Sequence, residues 1–341
     1  MAYPLVSICL PTYNAARFVK RAVHCAISQD YPNFEVVVCD DCSTDGTWEF
    51  LQGLNHPQLR VYRNEINLGV AENHNRTVRL SKGELIKFLH NDDEMAKDTL
   101  SYMVPWLKEH PSLVGAVVSA FVIDEDSMVV GEGPKAPSVL RVRGADFLKS
   151  IGEHGNQVGT PGQTLLRKDF FWAVSGVSPN FNYYYDLNLW VKLSKLGDWL
   201  FLPRSCYYYR YDNVSSISYS FREWQKLYEA FLESWAIADE AFRETGLYRL
   251  SKEDFLKWKQ TIGGNQFLHG IREVFRDGTP HLLLMVIEEA RAQGVLAGAI
   301  WNFLQQRIPY ALASLMYGSI FKKSYTIRYG QQKALIGTPG A

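Results

Sequence analysis

A short apolar strand, a polar loop and an amphipathic helix follow one another four times before residue 110, and that repetition restricts the fold more than any other feature. Val6-Ser7-Ile8-Cys9-Leu10 breaks into Pro11-Thr12-Tyr13-Asn14, and a helical pattern follows with Phe18, Ala22, Val23, Ala26 and Ile27. The stretch from Phe34 to Cys39 ends in Asp40-Asp41 and leads to a helix carrying Trp48, Leu51 and Leu54. Leu59 to Tyr62 runs through Asn67-Leu68-Gly69 into a helix over Val70 to Leu80. Leu85 to Leu89 ends in His90-Asn91-Asp92-Asp93, before a helix beginning near Ala96. Alternation of this kind predicts an α/β fold, a mostly parallel sheet with helices on both faces. Ligands of such sheets bind beyond the carboxyl ends of the strands. The polar residues fall there each time.

The adjacent pair Asp92-Asp93 adds chemistry to that edge. Two neighbouring carboxylates repel unless a cation or hydrogen-bond donors share their charge. Mg²⁺ and Mn²⁺ take oxygen ligands, usually one or two carboxylates completed by substrate phosphates and water. The pair therefore suits a metal that carries a diphosphate. A second reading stays open, in which Asp92 caps the following helix and Asp93 is a solvated turn residue.

Composition narrows the class. At 341 residues the chain can bury a sizeable core as one large or two ordinary domains. With 36 basic and 36 acidic residues it has no global field to draw it to nucleic acid. No apolar run has the length of a spanning helix, and the N-terminus lacks the pattern of a secretory leader. The five cysteines form an odd set, mostly in strand or helix patterns, which fits a reducing cytoplasm. Cys39-Asp40-Asp41-Cys42 has CxxC spacing but no second pair or nearby His, so a zinc or redox role is disfavoured.

Taken together, Pro11-Thr12-Tyr13-Asn14, Asp40-Asp41-Cys42-Ser43-Thr44-Asp45-Gly46-Thr47, Asn67-Leu68-Gly69, Gly83-Glu84-Leu85-Ile86 and Asn91-Asp92-Asp93 resemble family 2 glycosyltransferases of the GT-A fold. The likeness continues through Arg167 to Gly176, the Tyr185-to-Leu193 segment, Leu202-Pro203 and Tyr209-Arg210, covering about residues 4–218. Three positions depart from the family pattern: His90 stands where Asp is common, and Tyr185 and Asn188 replace a Glu and an Asp. The resemblance implies inverting, metal-dependent transfer of a sugar from a nucleotide diphosphate, most often a UDP-sugar, to an acceptor hydroxyl. It implies that Pro11, Thr12, Tyr13 and Asn14 hold the nucleoside and that Asp41 accepts from the base. Asp92 would lie near the ribose or diphosphate, Asp93 would bind Mn²⁺ or Mg²⁺, and Asp186 would be the general base.

That chemistry has a minimum requirement. A sugar hydroxyl is a poor nucleophile near neutral pH, so a positioned carboxylate must accept its proton. A bound cation stabilises the charge that develops on the leaving diphosphate. Asn67, His74 and Asn75 could flank the donor, although Asn67-Leu68-Gly69 is equally a good turn. The runs Tyr183-Tyr184-Tyr185 and Tyr207-Tyr208-Tyr209 could stack on sugar rings or pack in a sheet.

From Phe221 onward the pattern turns helical, which predicts a catalytic domain over 1–218 and a helical extension over 219–341. Val295 to Ala341 contains Arg307, Lys322, Lys323, Arg328 and Lys333 and no Asp or Glu, with many aromatics. This composition suits a helix in an anionic lipid interface, and it suits a hairpin packed on another domain or subunit. The expected partners are a nucleotide-sugar donor and a glycan or lipid-linked saccharide acceptor, met in the cytoplasm or at the inner face of a membrane during surface polysaccharide or glycolipid synthesis. Two other classes are a non-catalytic nucleotide-sugar-binding scaffold and a sugar nucleotidyltransferase. The latter needs a Gly-rich loop after the first strand, and residues 11–17 contain no Gly.

Overall fold

The computed structural model describes residues 3–148 and 156–211, with 233 and 237 as isolated positions. The chain divides into two compact units, one of residues 1–147 and 158–219 and one of 148–157 and 220–341. The first unit carries the architecture below. The sequence-based expectations for a helical extension and a lipid-facing tail lie outside the described residues.

The repeated units fold as their periodicity predicts. Strands β1 (Val6–Thr12), β2 (Phe34–Asp40), β3 (Leu59–Arg63) and β4 (Leu85–Phe88) pair in parallel in the order β3-β2-β1-β4. β1, β2 and β4 are buried along their whole length, which is why they read as unbroken apolar runs. Each fully buried Val, Ile or Leu contributes about 1.5–3 kcal/mol of transfer free energy. Helix α1 (Val19–Ile27) turns Val19, Ala22, Val23 and Ala26 inward, the i, i+3, i+4, i+7 stripe of a surface helix. Helices α2 (Thr47–Gln52) and α3 (Val70–Leu80) complete the next two units.

The second half of the sheet departs from a simple parallel series. After the two-residue strand β5 (Glu94–Met95), α4 (Thr99–Glu109) leads into β6 (Leu113–Ile123). β7 (Val129–Glu132) and β8 (Leu140–Val142) pair antiparallel on β6 and β10. β9 (Thr164–Arg167) inserts antiparallel between β4 and β6, so the parallel set continues beyond it with β6 and β10 (Asp198–Arg210). Helices α5 (Lys168–Ala173) and α6 (Tyr185–Ser194) lie between β9 and β10. The helix foreseen near Ala96 begins at Thr99 because Glu94 and Met95 are taken into the sheet by pairing with Tyr208 and Tyr207.

Helix α3 is unusual in what it buries: Asn73, His74, Asn75 and Thr77 are all on its inner side. Buried polar groups are tolerated only when hydrogen-bonded. Asn73 Nδ2 donates to the Cys39 carbonyl at 3.1 Å, and Thr77 Oγ1 to the Asn73 carbonyl at 2.6 Å. Asn75 binds the backbone of Val177 at both ends, donating to its carbonyl at 2.8 Å and accepting from its N–H at 2.9 Å. The helix thus fastens the end of β2 and the loop after α5 to one place.

Candidate active site

The loops after β1 and β2 are laced to each other. Asn14 N–H donates to Ser43 Oγ at 2.9 Å, and Thr44 N–H to Asn14 Oδ1 at 2.9 Å. Ala15 N–H donates to Thr47 Oγ1 at 2.8 Å. Asn14 takes φ of 44°, a left-handed conformation that Asn tolerates better than most residues. Pro11 and Thr12 belong to β1 and are buried, whereas Tyr13 is 45% exposed. Asn91 Nδ2 reaches the Tyr13 carbonyl at 3.2 Å and joins this pair of loops to the carboxylate loop.

Asp41 is buried and already well supplied with donors. Its oxygens accept from Asn64 Nδ2 at 2.6 Å, Leu68 N–H at 2.8 Å and Gly69 N–H at 3.0 Å. It therefore fixes the loop before α3 whatever else it binds. Asn67 is exposed and caps the same turn, its Oδ1 accepting from Gly69 N–H at 2.9 Å. Of the two structural roles open to Asn67-Leu68-Gly69, the turn is the one its hydrogen bonds display.

Asp92 and Asp93 part company in the structure. Asp92 is half-buried. Asp93 is 1% exposed, with Oδ2 accepting from Tyr207 Oη at 2.6 Å and Oδ1 from Arg210 N–H at 2.7 Å. The solvated-turn reading of Asp93 is thus corrected, because its charge is held inside by two donors from β10. The sequence gives no sign that Tyr207, Arg210 and Lys87 gather at the carboxylate loop. Their only signal was a polar side chain within, or closing, an otherwise apolar strand.

His90 lies beside the buried Asp93 carboxylate. Its Nδ1 lies 3.5 Å from Asp93 Oδ2. Burial opposes its positive charge, but contact with Asp93 and the charges of Asp93, Asp92 and Asp186 outweigh burial, and its pKa lies above the ordinary value. Asp186, in the first turn of α6, contributes to that field although nearly a hundred residues separate it from the carboxylate loop in sequence. Tyr185 beside it is driven strongly upward by burial and then by Asp186 and Asp92, so its phenol stays protonated. His74 is the opposite case: burial first, and the charge of His90 second, lower its pKa to about 3. Its neutral ring packs 5.7 Å from His90 and 5.2 Å from Tyr185, centroid to centroid. Nε2 of both histidines has no hydrogen-bond partner among the described residues.

Among the described residues no three His, Cys, Asp or Glu side chains form a cluster able to cage a metal ion. All five cysteines are free thiols. A cation of the Mg²⁺ or Mn²⁺ type needs only one or two protein carboxylates when phosphates and water complete its shell, and the carboxylate loop offers Asp92 and Asp93.

A mostly parallel sheet with polar loops converging beyond β1, β2 and β4 is the arrangement of a GT-A fold. Residues 7–174 match the family described as glycosyl transferase family 2, and this segment of the chain belongs to that family. It is 34% identical over 141 residues to the putative colanic acid biosynthesis glycosyl transferase WcaA of Escherichia coli strain K12, covering 40% of this chain and 48% of the relative. It is 28% identical over 135 residues to an Escherichia coli UDP-Glc:alpha-D-GlcNAc-diphosphoundecaprenol beta-1,3-glucosyltransferase, 40% of this chain and 53% of that one. The chain spans about half the length of these two relatives. Staphylococcus aureus TarS 1-349, solved in complex with UDP-GlcNAc, shares the fold with a TM-score of 0.55 at 19% identity, covering 86% of this chain and 92% of that one.

Proposed function

We propose that this chain is an inverting glycosyltransferase that moves a sugar from a UDP-sugar to a hydroxyl of a glycan or lipid-linked saccharide during surface polysaccharide or glycolipid synthesis. The observation that carries the reading is the carboxylate loop at the carboxyl edge of the sheet, where His90 Nδ1 lies 3.5 Å from Asp93 Oδ2 and the His74 ring packs against both His90 and Tyr185, the residue before Asp186. The names of the relatives, which include a colanic acid transferase and a transferase using UDP-Glc and a diphosphoundecaprenol acceptor, support the substrate classes.

In this reading Pro11, Thr12, Tyr13 and Asn14 flank the nucleoside, with Asp41 accepting from the base and Asn67 shaping the loop beside it. Asp92, the half-buried member of the pair, faces the diphosphate and is the first candidate to hold Mn²⁺ or Mg²⁺. Asp93 supports that loop from behind and is the second candidate. When bound, such a cation neutralises charge on the departing diphosphate. Asp186 accepts the proton of the acceptor hydroxyl as it attacks the anomeric carbon from the face opposite the leaving group. The lipid-interface reading of residues 295–341 rests on their charge pattern alone, and salt-sensitive co-sedimentation with anionic vesicles tests it. Among the described residues no helix is long and apolar enough to cross a membrane.

The test is a panel of nucleotide sugars with and without Mn²⁺, read by thermal shift and by release of free nucleotide diphosphate. A ligand that binds only the folded state raises apparent stability by mass action. Binding with turnover supports the transferase, and binding without turnover to any acceptor or water supports a scaffold. Stabilisation by nucleoside triphosphate and sugar phosphate instead would favour a nucleotidyltransferase.

A further inference from the structure

We infer that Arg210 is a positioning residue for metal–diphosphate binding, acting through the Asp92-Asp93 loop. The inference rests on the transferase reading and goes beyond it, because Arg210 is not expected to touch the donor.

Arg210 closes β10, and its side chain is fully buried. A buried guanidinium is tolerated only when its charge and its donors are matched. Its Nε donates to the Asp92 carbonyl at 2.7 Å, and its backbone N–H to Asp93 Oδ1 at 2.7 Å. The other arm reaches away from the loop: one terminal nitrogen donates to the Asp124 carbonyl, the other to Glu94 Oε1 at 2.7 Å and Ser127 Oγ at 3.1 Å. The guanidinium carbon lies over the Phe18 ring, 4.7 Å from its centroid. One side chain therefore ties the backbone of the carboxylate loop to the β6–β7 turn and to α1's entry.

Two consequences follow from that geometry. The first is electrostatic: Asp92, Asp93 and Glu94 are three consecutive acids, and a buried cation in hydrogen-bond contact with this run offsets their mutual repulsion. The second is directional. With the Asp92 carbonyl and the Asp93 carboxylate both anchored, the Asp92 side chain has its backbone fixed before any ligand arrives. Groups that orient metal ligands in this way commonly change metal affinity 10–100-fold when removed. Lysine cannot replace the arrangement, since it lacks the planar fork that serves several acceptors at once.

The experiment compares wild type with Arg210→Lys, measuring Mn²⁺ affinity by electron paramagnetic resonance at saturating UDP and uridine affinity by calorimetry. Uridine lacks the diphosphate and reports the nucleoside pocket alone. The expected result is Mn²⁺ binding weakened about tenfold or more, with uridine affinity within twofold of wild type. Equal Mn²⁺ affinity in both proteins overturns the inference, and so does a parallel loss of uridine binding, which would mark general damage. Should Arg210→Lys fail to fold, Glu94→Gln loosens the same guanidinium from its outer side, and the same two readouts decide the matter. A wild-type chain that binds no Mn²⁺ with UDP overturns the donor reading itself, and this inference with it.

Discussion

Tyr207 Oη lies 2.6 Å from Asp93 Oδ2, so the last strand of the sheet and the carboxylate loop are joined across 114 positions of sequence. Burial and the Asp93 charge both hold the phenol well above its ordinary pKa, which keeps it the donor and Asp93 the acceptor. The bond settles which of two adjacent acids is turned into the fold.

Replacing Tyr207 by Phe removes that donor while keeping the ring. A buried acceptor left unmatched costs about 1–3 kcal/mol, and more when it is charged. Urea unfolding of Tyr207→Phe should give a loss of at least this size with an unchanged slope. A stability equal to wild type would mean that Asp93 is held by Arg210 alone.

Gly162 lies against the same ring. A Cβ added there would stand 2.0 Å from Tyr207 Cζ, far inside any permitted contact. Gly162→Ala must push Tyr207 aside, and overpacking of this kind costs about 1–3 kcal/mol, occasionally more. In a Tyr207→Ala background the same substitution should be nearly neutral, since the obstructing ring is gone. The double-mutant cycle checks the coupling directly. Additive effects would show that the alanine finds room elsewhere.

Lys87 supplies a pH dependence. It is wholly buried in β4, donates to the Gly162 carbonyl and lies 5.0 Å from the centroid of the Tyr207 ring. Burial lowers its pKa to about 7. In the unfolded chain the amine titrates near 10.4. Between these values the unfolded state binds more protons than the folded one, so this group makes stability rise with pH. Below about 7 both states are charged and the penalty is fully present. Over pH 7 to 8.5 wild type should gain about 2 kcal/mol relative to Lys87→Met. Comparison with the variant removes other titrations, including the cysteines, whose burial acts in the opposite direction. Parallel curves for the two proteins would show that the folded amine keeps its proton.

The parts of the fold visible in the sequence are those set by local signals. Apolar runs bounded by Pro11, Asp40 and His90 predicted β1, β2 and β4, and the helix over Val70 to Leu80 has the foreseen limits. The antiparallel insertion of β9 between β4 and β6 was not visible, because it depends on pairings more than 45 residues apart. The same limit applies to the site. Placing Asp41, Asp92 and Asp186 at strand and helix ends needs only periodicity and motif. Deciding that Asp93 faces inward needs Tyr207 and Arg210, which no local pattern connects to it. His74 and Asn75 show the converse: their sequence suggests residues flanking a donor, and the structure buries both on α3, where Asn75 clamps the backbone of Val177.

Asp186 provides the last test, of the reaction itself. It occupies the first turn of α6, and its field reaches His90 and Tyr185, so its carboxylate belongs to the same electrostatic neighbourhood as Asp92. Asp186→Asn keeps the shape and removes the basic lone pair. If Asp186 accepts the proton of the attacking hydroxyl, transfer should fall about a hundredfold or more, the usual range for a general base. Donor affinity, measured by calorimetry with an unreacted UDP-sugar, should stay within a few-fold, because the base acts on the acceptor side. A loss of donor affinity in proportion to rate would place Asp186 in the donor pocket, and an unchanged rate would leave the proton to another group.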